Sequence, residues 1–263
     1  MSAPGRWSDL AARMGSGLVM VLVGLAAVAA GGDIFHVFVA LICGAMIWEL
    51  VRMLAPEQTG PALWLGALVA AALLLAIYLP PAFALPVLLA PAFVGFSQIE
   101  DNRAPFMIFS VGILLAGYGM MSVRDEFGFV WMLWLVLVVV ATDVAGYFAG
   151  KSLGGRKFWP RVSPNKTWSG TIAGWLAAAA VGLVFALWQG TSLGLVAVSV
   201  AMSMAAQMGD ISESAIKRRV GVKDASALIP GHGGLLDRFD GMLGAAIFVL
   251  ITAPLTGYPP GLV

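Results

Sequence analysis

Between residues 209 and 240 the chain holds five acids and five bases. Read as a helix over 210–219, the stretch puts Asp210, Glu213, Ser214 and Lys217 at i, i+3, i+4 and i+7, on one face. Asp237 and Asp240 are likewise three apart, at the entry to the last apolar segment. Carboxylates offered from two helix ends beside several Lys and Arg suit a hydrated Mg²⁺ that holds a polyphosphate, because hard oxygen ligands take the metal and bases take the phosphate. The spacing fits equally a solvated loop at the membrane surface whose charges only enforce topology.

Two further segments could hold an anion. Pro230-Gly231-His232-Gly233-Gly234 is a Gly-rich turn running into a helix, so its backbone N–H groups could cradle a phosphate or merely form a flexible connector. In Ser163-Pro164-Asn165-Lys166-Thr167-Trp168-Ser169-Gly170, Ser163, Thr167 and Ser169 are N-cap residue types, and Lys166 beside a capped helix start adds positive charge. Asp143 stands near the end of an apolar run, where a carboxylate costs up to roughly 3 kcal/mol and marks function or an interhelical hydrogen bond. Glu49 is placed similarly in Trp48-Glu49-Leu50, as an anchor or a functional group. Gly146-x3-Gly150-Lys151-Ser152 is not a phosphate-binding P-loop, which needs four residues between its glycines and a preceding strand. With Gly170-x3-Gly174 and Gly190-x3-Gly194 it reads instead as close helix packing.

The elements that must carry these residues are membrane helices. Of 263 residues, 60% are hydrophobic and 11% charged, against about 25% charged in a soluble domain. Uncharged runs predict nine helices near 15–31, 34–53, 62–79, 82–98, 104–122, 127–150, 170–188, 191–208 and 241–258, an all-α polytopic membrane protein. The first run follows Arg6 and Arg13 like a signal peptide but exceeds a secretory core of about 7 to 15 residues, so it is taken as an uncleaved helix. With nine spans, 14 of the 15 Lys and Arg share the side of the amino terminus, and only Arg124 falls opposite. That split predicts a cytoplasmic amino terminus and two charged cytoplasmic loops, 151–169 and 209–240. A net charge of +1 speaks against a nucleic-acid partner. One cysteine, Cys43, excludes an intrachain disulfide, and with His36 and His232 it supplies too few ligands for a zinc centre.

The run Ser214-x2-Lys217-Arg218-x4-Lys223-Asp224-x-Ser226-x3-Pro230-x-His232-Gly233-Gly234-x2-Asp237-Arg238-x-Asp240 closely resembles the signature of the phosphatidate cytidylyltransferases, the CDP-diacylglycerol synthases. Asp143 with Tyr147, and the 163–168 segment, resemble family features too, so the match covers 127–263; residues 1–126 resemble the family only in hydropathy and in Trp48-Glu49. The whole chain is read as one membrane domain. Two positions depart from the family pattern: Ser169 stands where an acid is usual, and Gly241 follows Asp240 where Ser is usual.

The resemblance implies the reaction of CTP with phosphatidate to give CDP-diacylglycerol and pyrophosphate, at the cytoplasmic face of the inner membrane. It implies Asp210 and Asp237 as main Mg²⁺ ligands, supported by Asp240 and Asp143, with a second, monovalent cation left open. Lys166, Lys217, Arg218 and Arg238 become phosphate contacts, and Ser163, Thr167, Lys223, His232, Gly233 and Gly234 complete the expected substrate-binding set. Alternatives are a CTP-dependent polyprenol kinase and a transporter with an intramembrane Asp, though no internal repeat supports the latter. Acyl preference and homo-oligomerisation are not encoded legibly.

Overall fold

A computed structural model describes residues 6–58 and 60–260, without the side chains of residues 6–13 and 81; the topology assignments of Arg6 and Arg13 fall on side chains outside the described residues. In the described residues there are nine helices: α1 (Arg6–Ala30), α2 (Gly32–Leu54), α3 (Gly60–Tyr78), α4 (Pro81–Gln98), α5 (Arg103–Glu126), α6 (Gly128–Leu153), α7 (Trp168–Gln189), α8 (Gly194–Arg219) and α9 (Leu236–Thr256). Seven are long and apolar enough to cross a membrane. The other two, α1 and α4, carry apolar stretches at Met14–Ala30 and Ala82–Gln98. Helices are what an apolar sequence in lipid must form, since each backbone N–H and C=O then finds a partner within its own segment. The protein is therefore an all-α, multi-pass membrane protein.

One feature is not helical. Strands β1 (Lys157–Trp159) and β2 (Ser163–Thr167) form an antiparallel hairpin, with Lys157 opposite Thr167 and Trp159 opposite Ser163 across an irregularity. Gly154 and Gly155, both at positive φ, end α6 and turn the chain into the hairpin.

The helices group into two compact units. The first comprises residues 1–114 and 220–239, the second 115–219 and 240–263. In the first unit α2 and α3 meet backbone to backbone: a Cβ on Gly44 would lie 2.7 Å from the carbonyl oxygen of Gly66. Phe35, Ile47 and Leu50 of α2 are fully buried, as are Leu65 and Leu73 of α3. In the second unit α6 is buried along Trp134, Leu135 and Val138, and polar pairs link it to α8. The Trp134 indole donates to Ser199 Oγ at 3.0 Å, and the hydroxyls of Thr142 and Ser203 lie 2.8 Å apart. Trp175 of α7 donates to Gln207 Oε1 of α8 at 3.0 Å, while Gln207 Nε2 donates to the Thr171 carbonyl at 3.2 Å. Lipid offers no hydrophobic drive between helices, so small residues and such hydrogen bonds hold them together.

The glycine motifs behave unequally. Gly146 and Gly170 bring α6 and α7 into contact, a Cβ on Gly170 standing 2.5 Å from the Gly146 carbonyl oxygen. Gly190 does something else: at φ 64° it is the left-handed C-cap of α7, with open space where a Cβ would go.

The largest departure from the expected boundaries concerns 209–240. The α8 helix does not stop at 208 but continues through Arg219, with Ile211 and Ile216 buried along it. Its last turn carries Lys217, Arg218 and Arg219, the charge sign favoured at a helix C-terminus. The α9 helix starts five residues earlier than the apolar run, so only 220–235 is non-helical. Four of the five acids, Asp210, Glu213, Asp237 and Asp240, are held on two helices, and Asp224 lies between them.

Candidate active site

The second unit gathers the first group of charges. Gly209 of α8 lies directly against the Asp240 carbonyl of α9, and Gly244 of α9 against the Ala205 carbonyl of α8, each too close for a Cβ. This backbone contact is possible only between glycines, and it sets Asp210 beside Asp240. Asp240 is half-buried, its Oδ1 accepts the Gly241 amide at 2.7 Å, and it faces the charges of Asp210, Asp143 and Lys217. Asp210 is ion-paired with Lys166, and its Oδ1 accepts from Ser214 Oγ at 3.3 Å. The i, i+4 geometry expected of 210–219 is thus realised, and Glu213 and Lys217 form the second such contact as a buried ion pair. Asp143, ten residues before the end of α6, is exposed. Arg218 is exposed on the last turn of α8.

Lys166 reaches Asp210 because the hairpin carries it. Lys166 lies on β2, and the next residue, Thr167, is the N-cap of α7, its Oγ1 accepting the Gly170 amide at 3.2 Å. Thr167 is buried and stands 3.0 Å from Ser169 Oγ, which donates to the Gly154 carbonyl. Ser169 therefore ties the start of α7 to the end of α6, a structural task. Ser163 is half-buried at the other end of β2.

The remaining expected residues belong to the first unit. Asp237, in the first turn of α9, accepts two backbone amides on Oδ2, from Ala225 at 2.9 Å and Gly234 at 2.7 Å. His232 Nδ1 lies 2.9 Å from the hydroxyl of Ser16, which donates to the Pro230 carbonyl at 3.0 Å. Arg238 Nε donates to the His232 carbonyl at 2.9 Å. Lys223 is exposed. The turn at 230–234 is closed by an antiparallel bridge, Ile229 N–H to the Gly233 carbonyl at 2.8 Å.

Glu49, whose task the sequence left open, is 0% exposed and accepts three hydrogen bonds, from Ser226 Oγ at 2.6 Å, Leu235 N at 2.9 Å and Leu236 N at 2.8 Å. Of the turn's amides, that of Gly234 is donated to Asp237, and the next two, of Leu235 and Leu236, go to Glu49. Sequence reasoning missed Ser16, an unremarkable Ser in an apolar run, and the pair Gly209 and Gly244, whose signal was a glycine beside Asp210 and another one helical turn after Asp240.

Among the described residues, no three His, Cys, Asp or Glu side chains are gathered closely enough to hold a metal ion alone. Mg²⁺ does not require that, since it commonly takes one or two carboxylates, water and substrate phosphate. Asp210, Asp240 and Asp143 supply hard oxygen donors whose mutual repulsion a cation would relieve, so this donor set fits such an ion. The arrangement as a whole, acids flanked by Lys166 and Lys217, can neutralise both a divalent cation and a phosphate.

Comparison with known proteins agrees in kind. A family model, that of the cytidylyltransferase family, matches residues 11–255. The chain is 34% identical to the phosphatidate cytidylyltransferase of Brucella suis biovar 1 (strain 1330) over 263 residues, 96% of each chain. It is 32% identical to that of Staphylococcus epidermidis (strain ATCC 35984 / DSM 28319 / BCRC 17069 / CCUG 31568 / BM 3577 / RP62A), covering 86% of this chain and 92% of the relative. With the Bacillus subtilis (strain 168) protein of the same name the identity is 41% over 122 residues, 45% of each.

Proposed function

This chain belongs to the cytidylyltransferase family, and from that premise we propose that it transfers the cytidylyl group of CTP to phosphatidate, giving CDP-diacylglycerol and pyrophosphate. The observation that carries the reading is the cluster of Asp210, Asp240, Lys166 and Lys217 at the charged end of α8.

The lipid phosphomonoester is already an oxyanion near neutral pH, so no Ser or Cys nucleophile is needed. One of its oxygens attacks the α-phosphorus of CTP in line. A bond forms from that oxygen to the α-phosphorus as the bond from the α-phosphorus to the bridging oxygen breaks, and pyrophosphate leaves with the electron pair. The protein's contribution is alignment and charge neutralisation between two polyanions. Lys166 and Lys217 supply positive charge, each held at rest by an acid, Asp210 and Glu213. An arriving phosphate competes for those ammonium groups, and the strength of a charge-assisted hydrogen bond to phosphate favours the exchange. Asp210 and Asp240, supported by Asp143, would hold Mg²⁺, which when bound neutralises the polyphosphate and stabilises charge on the leaving group. Arg218, Lys223 and Arg238 are further phosphate contacts on the strength of the signature alone. Asp237 is implied as a metal ligand by the signature, and its Oδ2 accepts two backbone amides. The Lys and Arg asymmetry supports the cytoplasmic side of the cell membrane for this chemistry, where CTP is available.

The test is purification in detergent and measurement of pyrophosphate release from CTP with and without phosphatidate. Release that depends on phosphatidate, with label from α-labelled CTP passing to the lipid, is the expected result. Label transferred only from the γ-position would establish a kinase instead.

A further inference from the structure

Two carboxylates close one loop in the first unit. Residues 225–236 leave and return to the same place, and the neck is tied twice. Glu49 links Ser226 to Leu235 and Leu236, while Asp237 links Ala225 to Gly234. The ties interleave, so neither strand of the neck can move without breaking both sets.

The two glycines of the turn make room for this. A Cβ on Gly234 would lie 2.6 Å from Glu49 Oε1, and one on Gly233 would lie 2.8 Å from Asp237 Oδ2. Gly233 is also at φ 83°, where a side chain would be strained. Gly234 has no positive φ to explain it, so space for the Glu49 carboxylate is the reason for a glycine there.

The energetics point the same way. The first N–H groups of a helix have no partner within it, and a buried carboxylate is costly unless it accepts several hydrogen bonds. Glu49 and the start of α9 satisfy each other. Because α2 is a long buried helix, the carboxylate it presents fixes where α9 begins and hence the direction in which Asp237 and Arg238 are offered.

We propose that Glu49 is a positioning residue for the transfer reaction, the fixed post to which the signature loop 225–236 and the start of α9 are tied. Its activity readout rests on the cytidylyl-transfer reading; its structural readout does not.

The experiment compares wild type, Glu49→Gln, Glu49→Ala and Ser226→Ala in detergent, by hydrogen exchange along the chain and by rates at varied CTP and phosphatidate. Glu49→Ala is expected to speed exchange in 225–236 while the other helices keep wild-type protection. Its kcat should fall about 100-fold, the scale of a misplaced catalytic arrangement, with KM for CTP changed less than about threefold because Lys166 and Lys217 lie outside the tied loop. Glu49→Gln retains one carbonyl acceptor at nearly the same volume and should fall between, as should Ser226→Ala, which removes one donor. Wild-type exchange in 225–236 for Glu49→Ala, an unchanged kcat, or a loss tracking general loosening of every helix would overturn the proposal. If wild type itself fails to turn over CTP with phosphatidate, the activity reading fails, and the exchange comparison still decides whether Glu49 holds the loop.

Discussion

Asp210 answers to two charged groups, Lys166 through an ion pair and Asp240 through like charge. If Asp210 and Asp240 act on one cation, removing either abolishes the same interaction. Asp210→Asn and Asp240→Asn should each lower CTP turnover by orders of magnitude, and the double variant should be little worse than one alone. Turnover against Mg²⁺ concentration, with size-exclusion profiles as the folding control, checks this; losses that multiply would show the two carboxylates acting separately. Lys166 gives a complementary case. Its side chain is 23% exposed and that of Asp210 30%, so the pair contributes at most about 1 kcal/mol to stability. Lys166→Ala should therefore unfold within a few degrees of wild type yet lower kcat/KM for CTP by about tenfold or more, since it removes a charge-assisted contact with phosphate. An unchanged kcat/KM would reduce Lys166 to a surface partner of Asp210.

The acids are close because α8 and α9 touch through Gly209 and Gly244. A methyl group at either position would meet a carbonyl oxygen well inside van der Waals contact, so the helices must separate. Gly209→Ala and Gly244→Ala should each cost about 1 to 3 kcal/mol or more, the usual scale of overpacking. Activity should fall further than stability accounts for, because the carboxylates move with their helices. Thermal unfolding in detergent beside turnover of the surviving folded fraction measures both; normal activity in a well-folded Gly209→Ala protein would mean that the carboxylate spacing is not critical. Gly170→Ala offers the comparison at α6 and α7, where the Gly146 carbonyl oxygen would lie 2.5 Å from the new methyl carbon.

On the scale of the whole molecule, the nine helices of the described residues place Arg124 at the end of α5 and Arg161 in the hairpin between α6 and α7. One helix, α6, separates them, so they should face opposite sides of the membrane. The one native cysteine is buried, which leaves little background for thiol labelling. In spheroplasts, Arg124→Cys should react with an impermeant maleimide and Arg161→Cys only after lysis. The reverse pattern would invert the topology and move the charged end of α8 away from cytoplasmic CTP.

The count and placing of the helices were legible in the sequence because the membrane imposes a length of apolar chain that can be counted. The charged residues of the candidate site were legible for a related reason: charge is scarce here, so its clusters stand out. The continuation of α8 through Arg219 was legible only as one of two readings, since a polar helix and a polar loop have similar composition and only the buried Ile211 and Ile216 distinguish them. The hairpin at 157–167 was not legible, too short for a period to show. What only the tertiary structure decided is which partner each carboxylate takes. Glu49 and Ser226 are 177 residues apart in sequence, and no spacing rule spans that distance. The glycines of the turn were read as an opening for phosphate. Their contacts show them accommodating two carboxylates of the chain itself, because a glycine in a sequence announces space or freedom, and only the fold determines what fills it.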